Sequence, residues 1–62
     1  MLTARESEIA RMVAGGMLSK EIADRLNLSV RTVEKERTRI MTKLGLRDLA
    51  GLIRWCLRSG LG

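Results

Sequence analysis

Between Ser29 and Gly45 the chain reads SVRTVEKERTRIMTKLG. Arg31, Glu34, Lys35, Thr38 and Thr42 recur there at intervals of three and four, with Arg39 and Lys43 beside them. At about 100° per residue these positions share one side of a helix. Cations, a carboxylate and hydroxyls on one face offer hydrogen-bond donors and acceptors together. That is chemistry for gripping and reading a polar, anionic surface. It is not chemistry for breaking bonds. The chain has no histidine, no cluster with metal-ligand spacing, no phosphate-cradling glycine loop and no nucleophile set beside a base. No enzyme, metal or cofactor is expected.

The other side of the same stretch carries Val30, Val33, Ile40, Met41 and Leu44, an apolar seam at helical spacing. Ser29 is a good N-cap and Gly45 a good stop, which bounds the helix at 30–44. Arg37 falls on the apolar side, between Val33 and Ile40. A partly buried guanidinium needs a carboxylate or carbonyl partner. Glu6 and Glu8 are the candidates, and Glu6 is preferred because it lies nearer the inward face marked by Leu2, Ile9 and Val13.

The rest of the chain must hold this helix in place. In TARE, Thr3 and Glu6 have the capping-box spacing, with Leu2 as a staple before the cap. They open a helix over about 3–14 with Ile9, Met12 and Val13 inward, ended at Gly15-Gly16. Ser19 is read as the N-cap of a short helix over 19–26, with Ile22, Ala23 and Leu26 inward. Asn27-Leu28-Ser29 then forms a tight turn, so two helices meet through about three residues, as in helix-turn-helix units. Asp48 caps a last helix over 49–59, with Leu49, Leu52, Ile53, Cys56 and Leu57 on one side and Gly60 at its end. Four helices share one core, an all-α fold in a single domain over 1–62.

Composition agrees. Among 62 residues there is no proline, tyrosine or phenylalanine, and Trp55 is the only aromatic. Helix formers dominate and strand formers are sparse. A chain this short buries only about 60% of its unfolded surface, too little for a large cofactor pocket. The first 28 residues carry four Arg/Lys against four Asp/Glu. The whole net charge of +5 therefore lies in residues 29–62, with eight Arg/Lys against three acids. Such asymmetry points to a polyanionic partner. Cys56 is alone, which excludes an intrachain disulfide, and it sits among Leu52, Ile53 and Leu57 as a buried thiol. No apolar run approaches the roughly 20 residues of a membrane span. A soluble, cytoplasmic protein is expected.

A helix that directly follows a tight helix–turn, with mixed polar side chains starting at its N-terminus, suits the major groove of double-stranded DNA. Uniform Lys/Arg would only grip phosphate. These residues resemble the LuxR-type (GerE, NarL/FixJ) helix-turn-helix of bacterial transcription regulators. LTARESEIARMVAGG is similar to that family's opening Leu-Thr-x-Arg-Glu helix. SKEIADRLNLSVRTVEKERTRIMTKLGL is similar to its core run, and LAGLIRWCLRSGL to its closing helix. Nearly the whole chain is in register.

The resemblance implies a four-helix fold whose third helix enters the major groove, with Glu21, Ile22 and Ala23 as scaffold. It places Lys20 and Thr32 at phosphates, Glu34, Lys35 and Thr38 at bases, and Arg31, Arg39 and Lys43 near the backbone or groove edge. Lys35 would donate to guanine O6/N7, and Glu34 would either accept from a cytosine amine or only repel phosphates and so tune specificity. It also implies a homodimer on DNA through the fourth helix, by Ala50, Gly51, Arg54 and Trp55, although Trp55 is equally placed to cap the core's edge. The chain would be the C-terminal output domain of a larger regulator, with RNA polymerase as a further partner and no membrane partner.

Two positions depart from the pattern. Glu36 stands where histidine is common and is placed to pair with Arg39 at i+3. Gly51 stands where an acid is common. The rival reading is a helix-turn-helix used mainly for protein–protein interaction, as in sigma-factor domain 4 held by an antagonist, with Glu34 and Glu36 as its support.

Overall fold

The computed structural model describes residues 1–60, and Leu61 of the closing stretch lies outside them. Four helices follow one another: α1 (Ala4–Ala14), α2 (Ser19–Leu26), α3 (Val30–Leu44) and α4 (Leu49–Ser59). No strand occurs among the described residues. α1 packs on each of the other three helices, and α2 packs on α3.

Local chemistry sets most of the boundaries. Thr3 Oγ1 accepts from the Glu6 N–H at 3.1 Å while Glu6 Oε1 accepts from the Thr3 N–H at 2.8 Å, a closed capping box. Ser29 Oγ accepts from the Thr32 N–H at 3.1 Å and so caps α3. Asp48 Oδ1 accepts from the Gly51 N–H at 2.8 Å and caps α4. Between α2 and α3, Asn27 takes the left-handed conformation (φ 58°) and the Leu28 N–H donates to the Ala23 carbonyl at 2.9 Å. Asparagine tolerates that conformation better than most residues. Leu28 then packs on the core. Gly45 ends α3 at φ 66°, where a Cβ would be strained.

One boundary differs from the sequence-based expectation. Ser19 is not the cap of α2 but its first residue. The extended residue before the helix is Leu18, whose N–H donates to Glu21 Oε1 at 2.7 Å. Glu21 supplies the cap from inside the helix, which releases the Ser19 hydroxyl to turn inward.

The core is Ile9, Ala10 and Val13 from α1, Ile22 and Ala23 from α2, Val33 and Ile40 from α3, and Leu52 and Cys56 from α4. Trp55 is half-buried against it. Burial pushes the Cys56 thiol's pKa up, so it stays protonated. Three residues placed inward on α4 by periodicity are instead exposed: Leu49, Ile53 and Leu57, the last 68% exposed. Val30, counted in the apolar seam of α3, is also exposed. It is the first residue of α3.

Candidate nucleic-acid interface

α3 is fastened by its buried face, through Val33 and Ile40, and turns the opposite face outward. Arg31, Glu34, Lys35, Thr38, Arg39, Thr42 and Lys43 line one open surface depression along it. The seven residues grouped by helical periodicity are therefore together in space. Lys20, at the second position of α2, is exposed beyond this row.

Their charges are not equally available. Arg31, Lys35 and Lys20 make no hydrogen bond or ion pair among the described residues and are free for an outside anion. Arg39 lies 3.8 Å from Glu36, the i+3 pair read from the sequence; the arginine is exposed and the glutamate half-buried, and at this separation the pair is worth little. Lys43 is different. Its ammonium donates to Glu6 Oε1 at 2.8 Å, across 37 residues of chain.

Glu6 is 3% exposed. The Lys43 hydrogen bond, and then the Thr3 backbone N–H, hold its carboxyl below the ordinary glutamate range. Lys43 is thus a strut between α3 and the start of α1, and its charge is already engaged. The expected pairing of Arg37 with Glu6 is not made. Arg37 instead donates to Ser19 Oγ at 2.8 Å and lies 3.7 Å from Glu34 Oε2. Arg37 emerges on the side of α3 facing the start of α2, whereas Glu6 faces the last turn of α3, where Lys43 reaches it.

The hydroxyls are also oriented. Thr32 Oγ1 accepts from the Ser29 hydroxyl at 2.9 Å, which leaves its own proton free to donate outward, as a phosphate contact needs. Thr38 donates back to the Glu34 carbonyl at 3.1 Å, so it presents a methyl group and an acceptor lone pair instead. Glu34 Oε2 accepts from Ser19 Oγ at 3.0 Å.

Sequence reasoning missed Ser19 and Arg47. Arg47, exposed in the α3–α4 loop, joins Glu34, Arg37, Thr38, Met41, Thr42 and Leu46 around a second depression on the flank of α3. Its only sequence signal was an extra positive charge just past the end of α3. Ser19 gave no signal, because a serine before a helix reads first as a cap.

On α4, Ala50 and Arg54 are exposed, as an interface would need. Gly51 is not available: it is buried, and a Cβ there would sit 3.2 Å from Asp48 Oδ1 and 3.5 Å from Leu46 Cδ2. Its small size serves close approach of the α3–α4 loop within the protomer. Trp55 covers the core's edge. The outward apolar row is Leu49, Ile53 and Leu57, and Ile53 and Leu57 border a groove shared with Arg11, Ala14, Gly15 and Cys56.

No described helix is long and apolar enough to cross a membrane, and no described group of His, Cys, Asp or Glu could hold a metal ion.

Residues 1–56 match the family described as bacterial regulatory proteins, luxR family. The chain is 46% identical over 61 residues to the oxygen regulatory protein NreC of Staphylococcus aureus strain JH9, and equally to that of strain JH1. These alignments cover 98% of the chain but 28% of each relative, so the chain spans little more than a quarter of their length. Among solved structures it is similar to VqmA of Vibrio cholera, described as a VqmA–ligand–DNA complex. The TM-score is 0.86 at 34% identity, over 100% of this chain and 27% of that one.

Proposed function

This chain belongs to the luxR family of bacterial regulatory proteins, and from that premise we propose that it binds double-stranded DNA sequence-specifically to regulate transcription. α3 lies in the major groove. Lys35 donates to a guanine edge, Glu34 and Thr38 read neighbouring bases, and Arg31, Lys20 and Thr32 hold phosphates. Arg39 and Arg47 flank the groove. Lys43, on the same outward face, stands at the groove edge with its ammonium bonded to Glu6, which ties α3 to the start of α1.

The observation that carries this reading is the outward face of α3, where Arg31 and Lys35, without side-chain partners among the described residues, share one open depression with the Glu34 carboxylate and the oriented Thr38 hydroxyl. The likeness to VqmA, whose structure was solved with DNA, supports it. On this reading the chain is the C-terminal output domain of a longer regulator, and RNA polymerase is a further partner; the relatives it matches are longer than it is. It acts as a homodimer on DNA. α4 supplies the contact through Leu49, Ile53 and Leu57, rimmed by Ala50 and Arg54, because one half-site buries little surface on its own. The rival protein-interaction reading drew on Glu34 and Glu36. Each has an arginine within 4 Å, which removes the unbalanced acidic face that reading needs.

Fluorescence anisotropy of a labelled duplex of about 24–30 base pairs, titrated at several salt concentrations, tests the proposal. Affinity should fall steeply with salt. Lys20→Ala should weaken binding on every sequence and flatten the log–log salt slope by about one. Lys35→Ala should change sequence preference as well. A folded chain that does not bind at low salt refutes the reading.

A further inference from the structure

We propose that Ser19 and Arg37 are positioning residues for base readout. They hold one oxygen of the Glu34 carboxylate so that the other is presented outward as a single, fixed acceptor. The inference rests on the reading of α3 as the DNA-reading helix, and it assigns how one of its readers is aimed.

The hydrogen-bond directions follow from the chemistry of the three groups. A guanidinium only donates. Arg37 donates to Ser19 Oγ at 2.8 Å, so the serine's single proton is left for Glu34 Oε2, 3.0 Å away. Arg37 also stands 3.7 Å from that same oxygen. Oε2 therefore faces a hydroxyl proton and a positive charge together. Oε1 has no hydrogen-bond partner among the described residues, on a side chain that is 58% exposed. Glu34 borders both depressions on the outward side of α3.

Ser19 is only 9% exposed and stands at the start of α2, whereas Glu34 and Arg37 are on α3. The clamp thus joins the two helices of the helix-turn-helix, and the aim of the carboxylate is tied to how they pack. A free glutamate would lose its rotamer freedom when DNA binds. Here that freedom is already lost on folding, so less is given up at the interface. Arg37 also offsets the carboxylate's repulsion of nearby phosphates. A fixed lone acceptor selects a base with an exocyclic amine in the major groove, cytosine N4 or adenine N6. It disfavours guanine O6 and thymine O4, which present acceptors of their own.

The test is selection of binding sites from a randomised duplex library, with anisotropy against salt on the same variants and thermal unfolding as a check of folding. Glu34→Ala should lower discrimination at one base pair by about ten-fold. Ser19→Ala and Arg37→Met should each lower it at that same base pair by about three-fold. Ser19→Ala should leave the salt slope unchanged, and it should have no further effect in a Glu34→Ala background. A serine acting only on stability would not give that pattern.

Unchanged discrimination in folded Ser19→Ala overturns the proposal, and if that variant does not fold, Arg37→Met carries the decision. A salt slope flattened by about one in Arg37→Met, with base preference intact, would make Arg37 a phosphate contact and also overturn it. If Glu34→Ala itself leaves preference unchanged while the parent chain still selects a site, Glu34 is no reader and the inference fails alone. A parent chain that binds every sequence equally removes the proposed function beneath it.

Discussion

The outward faces of α3 and α4 are built on similar sequence patterns and come out opposite in character. Each helix has apolar residues at helical spacing and arginines between them. α3 buries Val33 and Ile40 and shows solvent a row of charges and hydroxyls. α4 buries Gly51, Leu52 and Cys56 and leaves Leu49, Ile53 and Leu57 outside. The difference lies in what is available to cover them. α3 is packed by both α1 and α2, whereas α4 lies across α1 at the edge of the domain. An apolar row that the core cannot cover is a surface for something else. A mixed polar row over a firmly packed helix is a surface for reading.

Stability separates the two faces most strongly. Ile40→Ala, beneath the polar face, should cost about 2–5 kcal/mol in chemical denaturation. Leu57→Ala, on the apolar row, should change stability by no more than about 0.5 kcal/mol. Equal costs would make the α4 row part of the core and end the contrast.

A second comparison uses DNA. Ile53→Asp should leave binding to a single half-site unchanged and weaken binding to a duplex with two half-sites by about ten-fold. Equal loss on both duplexes would mean that α4 acts on the fold or on DNA rather than on a second copy.

The smallest effect concerns the tie between α3 and the start of α1. Because the folded carboxyl of Glu6 titrates below its ordinary range, its ion pair with Lys43 contributes fully above that range. The contribution is lost as pH falls from the ordinary glutamate range through the depressed folded value. Melting temperature measured from neutral pH downward should therefore drop more steeply in the parent than in Glu6→Gln over that window. Parallel curves would show that the pair adds nothing.

Legibility followed distance along the chain. The caps at Thr3, Ser29 and Asp48 and the left-handed Asn27 turn depend on groups within a few residues of one another, so residue type and spacing were enough. The polar face of α3 was legible because helical geometry alone groups those seven residues. Ser19 misled, since a serine before a helix and a serine as its first residue look alike until the backbone is seen.

By itself, then, the sequence determined four helices, their order, most of their ends and the side of α3 that faces outward, all consequences of local propensity and period. Only the tertiary structure decided the partners. Lys43 found Glu6 across 37 residues, and Arg37 found Ser19 across 18, because the helices pack at angles that no periodicity encodes. The same packing decided which apolar residues of α4 were covered. A helix presents several apolar positions, and the neighbour it meets has room for only some of them.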